Sequence, residues 1–252
     1  MNIVFPMCGL GSRVKERFKM PKPFIDIDGK TLIEQCIDGI GLDGNYIFIT
    51  RRFTEFENCE ELYSKTIKLF SKYTSLDNII VVDHHTAGAV STILLAKDII
   101  NTKEQLLISN CDQIWNLDAE KLLTLTSEES LDGFVSTWKF PDISINETSP
   151  YSFAKLNERG YVSEIKEKFA ISEHSMNGLF YWAHGSDFVE CANKLMKSGN
   201  DLNGEFYVSE TYNYAINSGM KIKILPMSDE EYISLGTTEE ILKYYSKSET
   251  LS

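Results

Sequence analysis

Cations are scarce in this chain: its 252 residues carry 25 Lys and Arg against 37 Asp and Glu, a net charge of −12. A nucleic-acid partner needs a basic face, and so does an anionic membrane surface, so the balance argues against both. Long apolar runs are missing too. None approaches the ~20 residues of a membrane span. The N-terminus lacks a basic segment followed by a long apolar stretch, which argues against a signal peptide. Cysteine is sparse: Cys8, Cys36, Cys59, Cys111 and Cys191 are odd in number and widely spaced, with no C-x-x-C. That pattern excludes a disulfide framework and a zinc knuckle, and fits reduced thiols in cytoplasm. Each reads as a small buried hydrophobe, Cys8 and Cys111 being packing residues near a ligand rather than nucleophiles. No repeat, low-complexity tract or Pro/Gly/Ser-rich linker divides the chain. With 42% hydrophobic residues it can bury a sizeable core.

The apolar pattern gives the fold class. Strand-like runs at 3–5, 46–50, 79–82, 105–109 and 133–138 alternate with helical stretches at 31–40, 53–73, 89–100 and 117–126. Near-continuous apolar strands separated by helices predict a mostly parallel sheet covered on both faces, an α/β fold of Rossmann-like type. After about residue 140 the texture changes. Strands are expected at 151–156 and 161–165 around the turn Asn157-Glu-Arg-Gly160, then at 177–182 and 221–226, with helices at 187–197, 207–217 and 238–246. One domain, 1–252, is expected, in two halves, 1–140 and 141–252, the second supplying a mixed-sheet wall. Ligands of such sheets bind beyond the carboxyl ends of the strands. Gly9–Lys22 and Asn110–Gln113 each follow a strand directly and open onto that edge.

The first of these loops is the strongest signal. Residues 13–22 hold five Lys or Arg and one acid in an otherwise acidic chain. Glycines let the backbone approach a ligand and turn N–H groups toward it, and adjacent cations suit a polyphosphate. Gly9-Leu-Gly11-Ser12-Arg13 is neither G-x-G-x-x-G nor a Walker A loop. Its weight comes from the preceding strand, from Arg13, and from Pro21-Lys22-Pro23, where two prolines hold the Lys22 amine in one direction.

Other candidates carry bland readings beside sharp ones. Asp112, at a strand end, suits Mg²⁺ or a helix cap. Lys166 and Lys168 suit a phosphate or a solvated strand end. Glu205 suits a substrate hydroxyl or amine, or a helix start. His84 and His85 lack an evident third ligand and read as ordinary loop residues.

Taken in order, these residues resemble the sugar-phosphate nucleotidyltransferase family, whose signature is G-x-G-[ST]-R, a short gap, then P-K. Here that is Gly9-Leu-Gly11-Ser12-Arg13 and Pro21-Lys22. The match continues with Thr86-Ala87-Gly88-Ala89 as the base-binding turn and Asp112 as the strand-end metal ligand. Glu167-Lys168 follows, with Phe169 replacing the family's proline, then Asn177-Gly178-Leu-Phe-Tyr181 and Gly204-Glu205-Phe206. One departure stands out. Where the family's W-x-D-x-G-T carries a second metal-binding Asp, Tyr232-Ile-Ser234-Leu-Gly236-Thr237 has Ser234.

The resemblance implies transfer of a nucleoside monophosphate from an NTP to a phosphorylated small molecule, with Mg²⁺ and with release of pyrophosphate. It implies that Met7, Cys8, Gly9, Gly11, Ser12, Arg13, Thr86, Ala87 and Gly88 bind the nucleotide. Arg13, Lys22, Asp112 and Lys168 would carry the chemistry. Asp112, Lys168, Asn177, Gly178 and Glu205 would meet the acceptor. The opening Phe5-Pro-Met-Cys resembles capsule and surface-polysaccharide cytidylyltransferases, which favours CTP and a small acceptor such as phosphocholine or phosphoglutamine. No β-helix or acyltransferase extension follows, so a stand-alone transferase is expected. Hexose-1-phosphate uridylyl-, thymidylyl- or guanylyltransfer stays open. So do a glycosyltransferase of the same fold, although Cys111-Asp112-Gln113 is not its Asp-x-Asp pair, and a non-catalytic nucleotide-binding domain. The oligomeric state is not set, since Trp115, Trp138 and Trp182 suit core and interface equally.

Overall fold

Alternation along the strands sends neighbouring side chains into two separate cores. Ile3, Phe5, Phe48, Leu107, Leu179 and Tyr181 belong to one, and Val4, Ile47, Ile49, Ile108, Phe180 and Trp182 to the other. Both faces of the central strands are therefore dry, which is why those runs read as almost continuously apolar. The computed structural model describes residues 1–128, 130–139 and 144–249, apart from the side chains of Arg13 and of residues 247–249.

The elements follow as β1 (Asn2–Pro6), α1 (Ser12–Phe18), β2 (Asp26–Ile27), β3 (Lys30–Thr31), α2 (Leu32–Ile40), β4 (Asn45–Arg51), α3 (Cys59–Phe70) and β5 (Ile79–Val82). Next come α4 (Ala89–Ile93), α5 (Lys97–Ile100), β6 (Leu106–Ser109), β7 (Gln113–Trp115), α6 (Ala119–Thr126), β8 (Gly133–Trp138), β9 (Phe153–Leu156) and β10 (Val162–Lys166). The chain finishes with β11 (Ser175–Trp182), α7 (Gly185–Ser198), α8 (Val208–Asn217), β12 (Ile222–Met227), β13 (Tyr232–Ser234) and α9 (Thr238–Glu249).

Among the described residues a nine-stranded mixed sheet is formed. Strand β1 pairs in parallel with β4 and β6, β4 with β5, and β12 with β8. Strand β11 lies antiparallel between β6 and β8. Helices α2, α6 and α9 place Leu32, Ile33, Leu122 and Ile241 on one core; α4, α7 and α8 place Val90, Phe188, Leu195 and Tyr212 on the other. This is the expected α/β architecture of a mostly parallel sheet flanked by helices. Among the described residues no helix is long and apolar enough to cross a membrane.

Strand direction positions the site. β1 and β6 run parallel, so Pro6 and Ser109 end on the same edge. β11 runs the other way and begins there, which brings Asn177 and Gly178 to the segment after β6; the Asn110 N–H donates to the Gly178 carbonyl at 2.9 Å.

Some boundaries differ from the pattern, each for a local reason. The stretch 53–73 becomes helical only at Cys59. Before it, Arg51 holds Glu55 in an ion pair and lies over the Phe53 ring at 4.7 Å, which keeps 53–58 in turns. The expected helix 89–100 is broken by a 3₁₀ turn at Leu94–Ala96, where Ile93, Ala96 and Ile100 all remain buried. Part of the cationic loop is helix α1, and Gln113 opens β7, which pairs with β13 as a separate ribbon. The turn at 157–160 closes as expected, with Asn157 Oδ1 accepting from the Tyr161 N–H at 3.1 Å.

Candidate active site

Lys22 stands between two prolines in a tight turn. Pro21 precedes a 3₁₀ turn over Lys22–Phe24, Pro23 is buried, and the ammonium is directed across the strand ends. Lys22 Nζ donates to Asp112 Oδ2 at 2.8 Å and to the Gly236 carbonyl at 2.7 Å. Residues 90 and 214 positions away in sequence thus converge on one amine.

Two clefts, each of about 370 Å³, meet at this point. Asp112, Glu205 and Gly236 line both. One cleft runs along the glycine loop, with Met7, Gly9, Gly11, Ser12, Lys22 and Thr86 on its walls. Cys8 faces away from it. Cys8 is 1% exposed in the opposite core, and burial raises its thiol to about 11, so it packs and does not attack. Burial likewise raises Cys111 to about 12. The Arg13 side chain lies outside the described residues. Arg51, unforeseen in the sequence, supports the loop from below through its Nε–H to the Gly9 carbonyl at 3.4 Å.

The turn 86–89 is clamped to the segment carrying Glu205. The Phe206 N–H donates to the Ala87 carbonyl at 3.0 Å and the Val90 N–H to the Phe206 carbonyl at 3.2 Å. Gly88 makes this possible: its φ is +91°, and a Cβ there would lie 2.6 Å from the Phe206 nitrogen. Ala87 and Gly88 thus shape the junction rather than line either cleft. His85, read from sequence as an ordinary loop residue, does line the glycine-loop cleft.

The second cleft is lined by Asp112, Lys168, Asn177, Gly178 and Glu205, the residues the resemblance assigns to an acceptor, together with Ser234. Lys168 Nζ bonds the Tyr207 hydroxyl at 2.5 Å, which in turn donates to Glu205 Oε2 at 2.5 Å. Lys166, its neighbour in the sequence reading, lies at the end of β10 and is exposed. Beside Lys168, Glu167 accepts from the Ser152 and Ser209 hydroxyls. Burial pushes its carboxyl above the ordinary value despite those bonds.

Asn177 spends its amide inside the sheet, against Ser136 and Met227 Sδ. Other amides take its place at the wall. At Gly178, where φ is +97°, a Cβ would come within 2.4 Å of Asn110 Nδ2 and 2.9 Å of Gln113 Nε2. Gln113 Nε2 is buried with no hydrogen-bond partner among the described residues, and Gln113 lines the cleft. A buried, unpaired donor in a cavity wall is a place for a ligand oxygen. No motif marks Gln113; only the approach of Gly178 reveals it.

The donor set at the seam suits a hard cation. Gly236 leaves a cradle: a Cβ there would lie 3.7 Å from Ser234 Oγ and 3.9 Å from Asp112 Oδ2. Mg²⁺ takes oxygen ligands and completes its shell with phosphates and water. Among the described residues no three His, Cys, Asp or Glu side chains group together.

No protein-family model matches the chain. A curated relative, the bifunctional protein GlmU of Thermodesulfovibrio yellowstonii, is 23% identical over 256 residues, covering 96% of this chain. The match takes in 50% of that protein, so the chain spans about half the length of the curated relative. Among solved structures, the nucleoside-diphosphate-sugar pyrophosphorylase of Vibrio cholerae RC9 superposes with a TM-score of 0.76 at 22% identity, covering 97% of this chain and 99% of that one. A UDP-glucose pyrophosphorylase complexed with UDP-glucose gives 0.73 at 16%, covering 100% and 99%. The inositol-1-phosphate CTP transferase of T. maritima gives 0.68 at 16%, covering 98% and 94%. At these identities the likeness establishes the fold.

Proposed function

We propose that this chain transfers a nucleoside monophosphate from an NTP, with CTP favoured, to a phosphorylated small molecule and releases pyrophosphate. The observation that carries this reading is Lys22, held between Asp112 and Gly236 where two clefts meet. One cleft has the glycine loop a triphosphate needs. The other has Lys168 for a second phosphate.

In this reading the backbone of 9–13 cradles the triphosphate and Arg13 neutralises the departing pyrophosphate. Lys168 holds the acceptor phosphate, which is already an anion near neutral pH, with a second pKa of about 6. One of its oxygens forms a bond to the α-phosphorus. The bond from that phosphorus to the bridging oxygen breaks, and pyrophosphate leaves with the electron pair. No proton has to be removed, so the site needs positioned charge rather than a general base. Lys22, at the seam, meets the charge that builds on the α-phosphate. Asp112 would hold Mg²⁺, which supplies further charge neutralisation at the phosphates.

CTP is supported by the Phe5-Pro-Met-Cys8 opening. An amine-bearing acceptor from surface-polysaccharide synthesis, such as phosphoglutamine, is supported by the balance of the second cleft, where Asp112, Glu167, Glu205 and Glu240 face the single lysine Lys168. The test is a pyrophosphate assay with each of four NTPs, Mg²⁺ and a panel of phosphorylated acceptors. Release that needs both an NTP and a phosphorylated acceptor is expected. Hydrolysis of a nucleotide sugar instead would mark a glycosyltransferase, and nucleotide binding without turnover would mark a sensing domain.

A further inference from the structure

We propose that Glu240, from the first turn of α9, supplies the second carboxylate for the divalent cation held by Asp112. This rests on the nucleotidyl-transfer reading above. It addresses the departure at Ser234, where a hydroxyl stands in the place of an acid.

The helix start aims the side chain. Thr237 and Glu240 form a reciprocal cap: the Thr237 N–H donates to Glu240 Oε2 at 2.8 Å, and the Glu240 N–H donates to Thr237 Oγ1 at 3.2 Å. The carboxylate is thereby folded back over the beginning of α9, toward Gly236. It lines the same cleft as Asp112 and Ser234.

The cradle at Gly236 brings the oxygens together. A Cβ on Gly236 would lie 3.3 Å from Glu240 Oε2, closer than it would be to Ser234 Oγ or Asp112 Oδ2. The missing side chain therefore leaves a space bordered by two carboxylates and a hydroxyl, the ligand chemistry Mg²⁺ accepts. A cation is already drawn to its edge, since the Lys22 ammonium bonds Asp112 Oδ2 and the Gly236 carbonyl. Asp112, Tyr151 and Tyr232 lie near Glu240, and Lys22 is the cation at the cradle, bonded to Asp112 and to the Gly236 carbonyl.

Glu240→Gln separates cap from ligand, because glutamine caps at this position as glutamate does but loses the charge. The experiment titrates Mn²⁺ into the free protein and follows the unbound ion by electron paramagnetic resonance. Wild type, Glu240→Gln, Asp112→Asn and the double variant Ser234→Asp with Glu240→Gln are compared, and thermal melts are recorded for each. E240Q is expected to melt as wild type does and to bind Mn²⁺ about tenfold or more weakly, the scale on which lost support at a metal site is felt. Ser234→Asp is expected to restore binding in the E240Q background. Wild-type Mn²⁺ affinity in E240Q, with affinity lost in Asp112→Asn, would overturn the role of Glu240. So would absence of Mn²⁺ binding to the wild type at millimolar concentration. Pyrophosphate release by wild type in the same preparation reports on nucleotidyl transfer independently, so either idea can fail alone.

Discussion

Lys22 bonds one carboxylate and one backbone carbonyl, and neither bond holds the fold. Asp112 is a third exposed, so water replaces the ammonium if it is removed. Lys22→Ala should therefore melt like wild type while turnover falls by about 10²–10³, the usual loss for one electrostatic stabiliser. A melting curve beside a pyrophosphate assay checks both halves. Gln113 makes the opposite trade. Its unpaired Nε2 costs the fold about 1–3 kcal/mol, so Gln113→Leu should unfold at equal or higher denaturant concentration. Acceptor KM should rise by about tenfold with kcat less affected, on the scale of one lost hydrogen bond; an unchanged KM would remove Gln113 from acceptor recognition. Glu167 sets a pH dependence. Its folded value is raised above the ordinary 4.5, so the folded chain binds this proton more tightly than the unfolded chain. Stability from this group is complete below 4.5 and is lost as pH rises through the raised value. Glu167→Gln should flatten that part of the stability profile, measured by denaturant melts from pH 4 upward.

At the scale of elements, the clamp between the turn 86–89 and Phe206 couples the two clefts, because Glu205 lines both. Gly88→Ala puts a methyl carbon against the Phe206 backbone in a left-handed conformation. A loss of about 1–3 kcal/mol is expected, with NTP and acceptor affinities weakened together; loss of only one would show that the clefts are independent. The strands were legible in the sequence because both faces of the sheet are apolar, and β5 and β8 match their expected limits. Helix α2 was legible through its apolar residues Leu32, Ile33, Cys36, Ile37 and Ile40; the Thr31–Glu34 capping box that starts it was not read from the sequence. Helix α1 was hidden, since glycines and prolines around it signal a loop. The start of α3 was hidden because Arg51 and Glu55 act across a boundary that periodicity ignores. The same division holds in the site. Lys22 and Asp112 announce themselves by motif. Gln113 is revealed by the glycine at 178, 65 positions away, an approach no local pattern records, whereas Glu240 sits in a local Thr237-x-x-Glu240 cap whose bearing on the cleft shows only through Gly236.

At the scale of the whole molecule, two clefts open at the strand ends of one sheet, with Lys22 bonded to Asp112 where they meet. That layout makes sense if two phosphates must meet there. The most direct measurement follows an oxygen atom. With an acceptor whose phosphate is labelled with ¹⁸O, incubated with CTP and Mg²⁺, the account predicts a product carrying ¹⁸O in the bridge between the two phosphates, together with unlabelled pyrophosphate. Label confined to unreacted acceptor, or CMP formed with oxygen from water, would contradict it.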